Sequence, residues 1–424
     1  MYYDTLTKQQ LNEEFAKTKK RYLDFKNRGI KLDMSRGKPG PEQMDISSKM
    51  FDAVGNQNNF LNKTGIDCRN YGGLDGLPEL KDLFAEILGV EPSQVIVGGN
   101  SSLNMMFDTI AEAMTHGFGE EPWQLQKNVK FICPSPGYDR HFAICEYFGI
   151  EMITIDNTPF GPNMDKVEML VNDPSVKGIW CVPKYSNPQG IVYSDETVKR
   201  LAALKPAASD FRIFWDNAYA VHSLSDSDDK LLNIYREAVK CGNPNLVIQF
   251  VSTSKITFPG AGVAAQAAGN EDVARIKHRM GFQTIGPDKL NQLRHARLFG
   301  SVDAIKAHMK RHAKILKPKF DIVIKHLENE LGNLGIASWT NPKGGYFISL
   351  DLPKGYAKKT HRLCAKAGLV LTNAGATYPY GKDPNDSNLR IAPSYPSNEE
   401  LEQAAELLCV AVKYAVLSDM CENN

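Results

Sequence analysis

Lys255 follows an apolar run, Leu246–Val251, and a hydroxyl-bearing step, Ser252-Thr253-Ser254, with Phe258-Pro-Gly-Ala-Gly262 close behind. The run has the composition of a buried strand, so the lysine stands at a strand end, where desolvation disfavours its ammonium form. That position suits an amine used as a nucleophile to form an imine with a carbonyl cofactor. Ser-x-Ser-Lys is only a four-residue pattern, and a solvated lysine at a strand end satisfies it as well. The surrounding motifs separate the two readings.

Four of them stand where ligands collect in open α/β sheets, at strand ends. Gly98-Gly-Asn-Ser-Ser102 lies between the run Gln94–Val97 and a helix expected over Leu103–Met114. A glycine-led turn into a helix N-terminus offers free amides and a positive dipole end to a phosphate, although a plain N-cap by Asn100 or Ser101 reads the same. Pro134-Ser-Pro-Gly-Tyr138 puts an aromatic ring on a rigid turn, suited to stacking on a flat heterocycle or to anchoring a surface turn. Ser186-Asn-Pro-Gln-Gly190 spells a turn in which Asn187 can offer its amide to a phenolate-like oxygen. In Trp215-Asp-Asn-Ala-Tyr219, Asp216 ends an apolar strand and needs a cationic or N–H partner, with Tyr219 three residues on.

Together these groups match the needs of pyridoxal 5'-phosphate. Lys255 holds the aldehyde, Asp216 pairs with the protonated ring nitrogen, and Asn187 and Tyr219 bond the ring oxygen. Tyr138 stacks on the ring face, while Asn100, Ser101, Ser102, Ser252 and Ser254 take the phosphate. Each piece is weak alone; their order at successive strand ends is specific.

The elements that must position them follow from the hydrophobic pattern. Seven short β-branched runs (94–97, 129–133, 152–155, 178–182, 212–215, 246–251 and 262–267) alternate with helical stretches. This predicts an α/β fold with a mostly parallel seven-stranded sheet covered by helices. Helices are expected over Thr5–Asn27 and Pro78–Leu88, and a long basic helical region runs from Leu290 through Ile322. Strands Gly345–Leu350 and Leu389–Ile391 and a helix Asn398–Val416 read as a smaller α+β domain. The expected division is an N-terminal arm with part of the small domain over 1–61, a large cofactor-binding domain over 62–300, and a small C-terminal domain over 301–424.

Composition sets the outer limits. The chain has 424 residues, 42% hydrophobic and 23% charged, with a net charge of +1. No bulk electrostatic case exists for nucleic acid or an anionic membrane. The apolar runs are strand-sized, the N-terminus is polar, and the eight cysteines are scattered without a Cys-x-x-Cys pair. A cytoplasmic, reduced protein without a metal site is expected.

The ordered set Tyr71, Gly98–Ser102, Tyr138, Asn187-Pro-Gln-Gly190, Asp216-Asn-Ala-Tyr219, Ser252–Lys255 and Asn388-Leu-Arg-Ile391 resembles the fold-type I pyridoxal-phosphate enzymes. More narrowly it resembles the class I aminotransferases, and the arm Ser35-Arg-Gly-Lys-Pro-Gly-Pro41 is similar to that of a divergent aspartate aminotransferase subgroup. The resemblance spans about Leu32 to Val416. It implies that Arg390 binds the substrate α-carboxylate, that Gly37 approaches the same carboxylate, and that Tyr71 reaches the partner's phosphate across a homodimer with shared active sites. It implies cis peptides before Pro188 and Pro136. One departure stands out: the arginine usual shortly after the lysine is absent from Ile256-Thr-Phe-Pro-Gly-Ala-Gly-Val263. Hydroxyls, helix amides and a cation such as Lys38 or Lys184 are expected to balance the phosphate instead.

The reaction implied is ping-pong transfer of an amino group from an L-amino acid, best L-aspartate, to 2-oxoglutarate, with Lys255 as the base. The side-chain carboxylate needs a second cation, to be sought among Arg36, Arg69, Arg140, Arg294 and Arg297. Two alternatives keep the same cofactor residues or fold: a carbon–sulfur β-lyase, and a ligand-sensing domain. The second requires a DNA-binding module that the first 60 residues do not supply.

Overall fold

Strand and helix positions follow the sequence pattern closely in the computed structural model, which describes residues 2–55, 59–225 and 228–422. The expected arm over 1–61 therefore includes Met1 and residues 56–58, which lie outside the described residues. Seven strands form the main sheet in the spatial order Val95–Val97, Ala264–Ala267, Val247–Ser252, Arg212–Asp216, Val176–Cys181, Lys130–Ser135 and Glu151–Thr158. A two-residue strand, Gly161–Pro162, adds an eighth at the edge. The five strands from Val247–Ser252 to Glu151–Thr158 are mutually parallel, while Ala264–Ala267 and the edge strand Gly161–Pro162 run antiparallel to their neighbours.

Side chains alternate between two apolar layers along each strand, as the pleat requires. Phe131, Cys133, Phe214, Ile248 and Phe250 join one layer. Ile132, Ile179, Ile213, Trp215 and Val247 join the other. With both faces covered, every residue of Val176–Cys181, Arg212–Asp216 and Val247–Ser252 is buried. That is why these segments read as continuous apolar runs. Parallel pairing has a further consequence: Val97, Ser135, Cys181, Asp216 and Ser252 all end at one edge of the sheet.

The long basic region expected as one helical stretch is two helices, Lys289–Phe299 and Val302–Leu331. Gly300 breaks it with φ 65°, and Ser301 caps the second helix by accepting from the Ala304 N–H. This 30-residue helix contributes Val302, Ile305 and Met309 to a core layer with Val95 and Val97. Farther along, Leu316, Phe320, Val323 and Leu327 join a second core with Leu408, Val410 and Val412 of the helix Asn398–Glu422. The N-terminal helix Lys8–Asn27 closes that core, Tyr22 stacking on Tyr414 with ring centroids 4.8 Å apart. A three-stranded antiparallel sheet, Ser338–Trp339, Ile348–Asp351 and Asn388–Ile391, lies here. The pair Leu32–Asp33 and Leu369–Val370 threads the N-terminal arm alongside.

Candidate active site

Strand Val247–Ser252 runs directly into the turn that carries Lys255. Lys255 keeps part of its surface in contact with solvent, yet the packing around its amine is that of the interior. Desolvation lowers its pKa, and the Asp216 carboxylate opposes that only in part. Its Nζ lies 5.2 Å from the centroid of the Tyr219 ring.

Asp216 ends its strand 3% exposed. Its Oδ2 accepts from His141 Nε2 at 3.0 Å, while Oδ1 is buried with no partner among the described residues. A lone buried carboxylate oxygen is costly unless a donor reaches it. His141 is the functional residue that sequence reasoning missed. It stacks on Trp180, centroids 4.4 Å apart and planes at 11°. Its only sequence signal is its place three residues after Tyr138, on the helix Asp139–Tyr147 that starts at the same sheet edge.

Tyr138 meets His141 edge to face at 4.9 Å. Desolvation first, then Asp216 and Asp139, push its hydroxyl up to about 12. The Tyr219 hydroxyl is likewise raised, chiefly by burial. Asn187 lies two residues after Tyr185, which takes a positive φ of 50°, and the peptides before Pro136 and Pro188 are both cis, as expected. Asn187 Oδ1 accepts from Arg390 Nη1 at 3.3 Å, so two turns distant in sequence converge.

Arg390 is 7% exposed, in strand Asn388–Ile391. Its Nη1 donates to Asp139 Oδ1 at 2.7 Å, its Nη2 to Thr372 Oγ1 at 3.3 Å, and its Nε is buried without a partner among the described residues. The guanidinium carbon stands 4.9 Å from the Phe347 ring centroid. Gly37 is pressed against that same ring: a Cβ there would come 2.4 Å from Phe347 Cζ. Only a residue without a side chain lets the arm pass this close.

At the other end, Ser101 is the N-cap of the helix Ser102–His116 but makes no capping bond with its side chain. Ser252 Oγ and Ser254 Oγ are 3.1 Å apart, and Ser254 Oγ donates to the Asn100 carbonyl at 3.3 Å. Hydroxyls and helix amides thus meet in one cup, suited to an anion. The helix Lys289–Phe299 braces the cup from behind, which no motif foretold. Leu77 N–H donates to Gln292 Oε1 (2.8 Å), and Gln292 Nε2 donates to the carbonyls of Val97 and Gly98 (both 3.2 Å). Asn291 Nδ2 donates to the carbonyls of Ala261 and Gly262, and His295 Nε2 pairs with Thr253 and Thr257 hydroxyls at 3.1 and 2.9 Å.

Of the two lysines expected at the phosphate, Lys184 is engaged by hydrogen bonds elsewhere and Lys38 is exposed against an aromatic ring. Lys184 Nζ donates to the Ala220 carbonyl and to Asp228, and Lys38 Nζ lies 3.7 Å over the Tyr395 ring. Among the arginines considered for a second carboxylate, Arg69 pairs with Asp67, and Arg297 bonds the carbonyls of Ala53 and Leu61. Arg294 has a buried Nε with no partner among the described residues. Arg36 and Arg140 are exposed and have no ion-pair partner among the described residues. Tyr71 stands apart from the buried groups, 79% exposed. Among the described residues, no cluster of three or more His, Cys, Asp or Glu side chains is arranged for a metal ion, and no helix is long and apolar enough to cross a membrane.

Comparison with known proteins agrees with this arrangement. Residues 6–423 match the family described as aspartate amino-transferase. An aspartate aminotransferase of Corynebacterium glutamicum is 45% identical over 405 residues, covering 94% of each chain. The crystal structure of an aspartate transaminase from the same species superposes with a TM-score of 0.95 at 43% identity, covering 98% of this chain and 99% of that one. An α-aminoadipate aminotransferase from Thermus thermophilus, solved with N-(5'-phosphopyridoxyl)-L-leucine, shares the fold at 20% identity with a TM-score of 0.75, covering 94% and 95%. The fold and these likenesses define an aminotransferase of fold type I, a family that uses pyridoxal phosphate. The chain belongs to the aspartate aminotransferase family.

Proposed function

We propose that this enzyme binds pyridoxal 5'-phosphate and transfers the amino group of L-aspartate to 2-oxoglutarate. The carrying observation is the unpartnered, buried Oδ1 of Asp216, beside a desolvated lysine amine. A protonated ring nitrogen is the donor that oxygen lacks, and Lys255 is the amine for the aldehyde. Tyr138 is assigned to the ring face, Asn187 and Tyr219 to the ring hydroxyl. The cup of Asn100, Ser101, Ser102, Ser252 and Ser254 is assigned to the phosphate. The residues present therefore fit the cofactor, including the absence of a phosphate-binding arginine, since hydroxyls and helix amides supply the donors.

When bound, the cofactor supplies an aldehyde that takes up the amino group and a ring that delocalises the electrons left at the substrate Cα. The chain does the rest. Lys255 Nζ, kept neutral more readily by its lowered pKa, takes the Cα proton and returns it on the other side of the exchange. Asp216, fixed by His141, keeps a negative oxygen where the ring nitrogen needs one. Arg390 receives the α-carboxylate, with Gly37 and Asn187 beside it. Arg36 and Arg140, both without an acidic partner, are the candidates for the substrate's second carboxylate. Tyr71, with its ring in solvent, is assigned to the phosphate of the partner in a homodimer, which gives shared active sites. Cytoplasmic residence and substrates limited to amino and 2-oxo acids complete the reading.

The test is the absorbance spectrum of the protein with pyridoxal phosphate, before and after L-aspartate alone, beside Lys255→Ala. Loss of the lysine-bound visible band on adding aspartate, and its return with 2-oxoglutarate, is the expected result. A band indifferent to aspartate removes the substrate; pyruvate and ammonia from a cysteine conjugate indicate the β-lyase. No band in the unmodified protein removes the proposal.

A further inference from the structure

Arg390 already holds a carboxylate of its own chain. Asp139 Oδ1 accepts from Nη1 at 2.7 Å, and the same nitrogen donates to Asn187 Oδ1 at 3.3 Å. Nη2 donates to Thr372, leaving one Nη2–H and the buried Nε–H unspent. A substrate carboxylate gripped bidentately needs two parallel N–H groups. The Nη1–Nη2 edge cannot present them while Asp139 and Asn187 share Nη1, and in the remaining Nε–Nη2 pair the Nε is buried.

Asp139 is built to leave. It holds Arg390 through one oxygen, and its side chain is 32% exposed against 8% for Arg390. It is also the first residue of the helix Asp139–Tyr147, whose N-cap Tyr138 makes no side-chain capping bond. A carboxylate released from Arg390 meets the free amides and positive end of that helix without leaving its own residue. One acidic side chain thus has two resting places, and only one of them blocks the guanidinium.

We propose that Asp139 is an internal competitor for Arg390, occupying the guanidinium in the substrate-free enzyme and yielding it to the carboxylate of each incoming acid. Substrate binding is then an exchange of one carboxylate for another. A ping-pong enzyme must empty this position between its two half-reactions. Asp139 re-forms its ion pair as the product leaves, so the buried arginine is not left unpaired, and tight retention of either acid is avoided. The proposal rests on the assignment of Arg390 to the α-carboxylate.

The experiment is calorimetric titration of the purified full-length holoenzyme with succinate, an unreactive dicarboxylate, for the unmodified protein, Asp139→Asn, Asp139→Ser and Arg390→Gln. Removing the competing charge is expected to tighten succinate by about fivefold to tenfold in both Asp139 variants. A residue that only orients the guanidinium gives the opposite sign. Unchanged or weaker binding in the Asp139 variants, with unfolding midpoints like that of the unmodified protein, overturns the proposal. Arg390→Gln is expected to lose succinate binding. If it binds succinate as the unmodified protein does, the assignment of Arg390 itself fails, and the Asp139 proposal falls with it.

Discussion

Asp216 and His141 share one hydrogen bond, Oδ2 to Nε2 at 3.0 Å, and that bond leaves Oδ1 of the same carboxylate buried and unmatched. A carboxylate accepts only, so the imidazole Nε2 carries the proton, and the stacking of His141 on Trp180 fixes the plane in which it is offered. The pair is a held anion with one oxygen in reserve. Asp216→Asn should lower kcat/KM by about 10²–10³. His141→Asn leaves the anion present but less well aimed and should cost about 10–100-fold. Steady-state assays with aspartate and 2-oxoglutarate rank the two; equal losses would contradict the division of roles.

Gln292 is 1% exposed and ties Leu77 N–H to the Val97 and Gly98 carbonyls. Gln292→Ala strands three backbone groups in the interior, with a cost of about 2–4 kcal/mol to stability. Because the Gly98 carbonyl opens the turn proposed for the phosphate and the Val97 carbonyl adjoins it, the variant should also release cofactor more readily. Thermal unfolding gives the first effect, and cofactor retained after gel filtration the second.

Gly37→Ala puts a methyl group into the Phe347 ring. Overpacking of this kind costs about 1–3 kcal/mol. Since Phe347 lies under Arg390, the shift should appear mainly as a raised KM for the amino acid. A change in kcat alone would argue against the contact.

Three buried histidines behind Lys255 set an acid limit. His308 Nε2 donates to the Ile256 carbonyl at 2.8 Å, and His312 Nε2 is 3.1 Å from His308 Nε2. Burial, then His308, lowers His312 from its usual 6.5 to about 3, and His222 and His308 are lowered mainly by burial. A depressed folded-state pKa contributes stability that is present above 6.5 and lost as pH falls toward 3. The unfolding midpoint should therefore drop across that interval. His312→Asn should be less stable at pH 7, by about 1–3 kcal/mol, yet show a shallower acid decline. Melting curves from pH 7 to pH 4 compare the slopes.

The residues with chemistry were legible because their constraints are local. Lys255, Asp216 and Ser252 each end an apolar run, and a strand end in a parallel sheet opens on one common edge. Most of the main strands were readable for a related reason: burial on both faces demands unbroken apolar stretches, whereas Glu151–Thr158, only half buried, showed through its β-branched residues. The break at Gly300 was written as a glycine before a capping serine, but the basic helical pattern on both sides hid it.

What only the tertiary structure decided are relations between distant segments. His141 has no motif of its own; it becomes functional because its helix starts beside the strand that ends at Asp216. Asn291, Gln292 and His295 look like ordinary helix residues until the helix lies against Val97 and Thr253. Lys184 has the right charge for a phosphate, yet Asp228 engages it first. Asp139 and Arg390, separated by 251 positions, meet only because the fold brings strand Asn388–Ile391 within side-chain reach of the start of the helix Asp139–Tyr147. Sequence patterns report the period and burial of one element, and so they fix which side chains reach the sheet edge. Which of those side chains pair with one another depends on how elements far apart in the chain dock, and that information is three-dimensional.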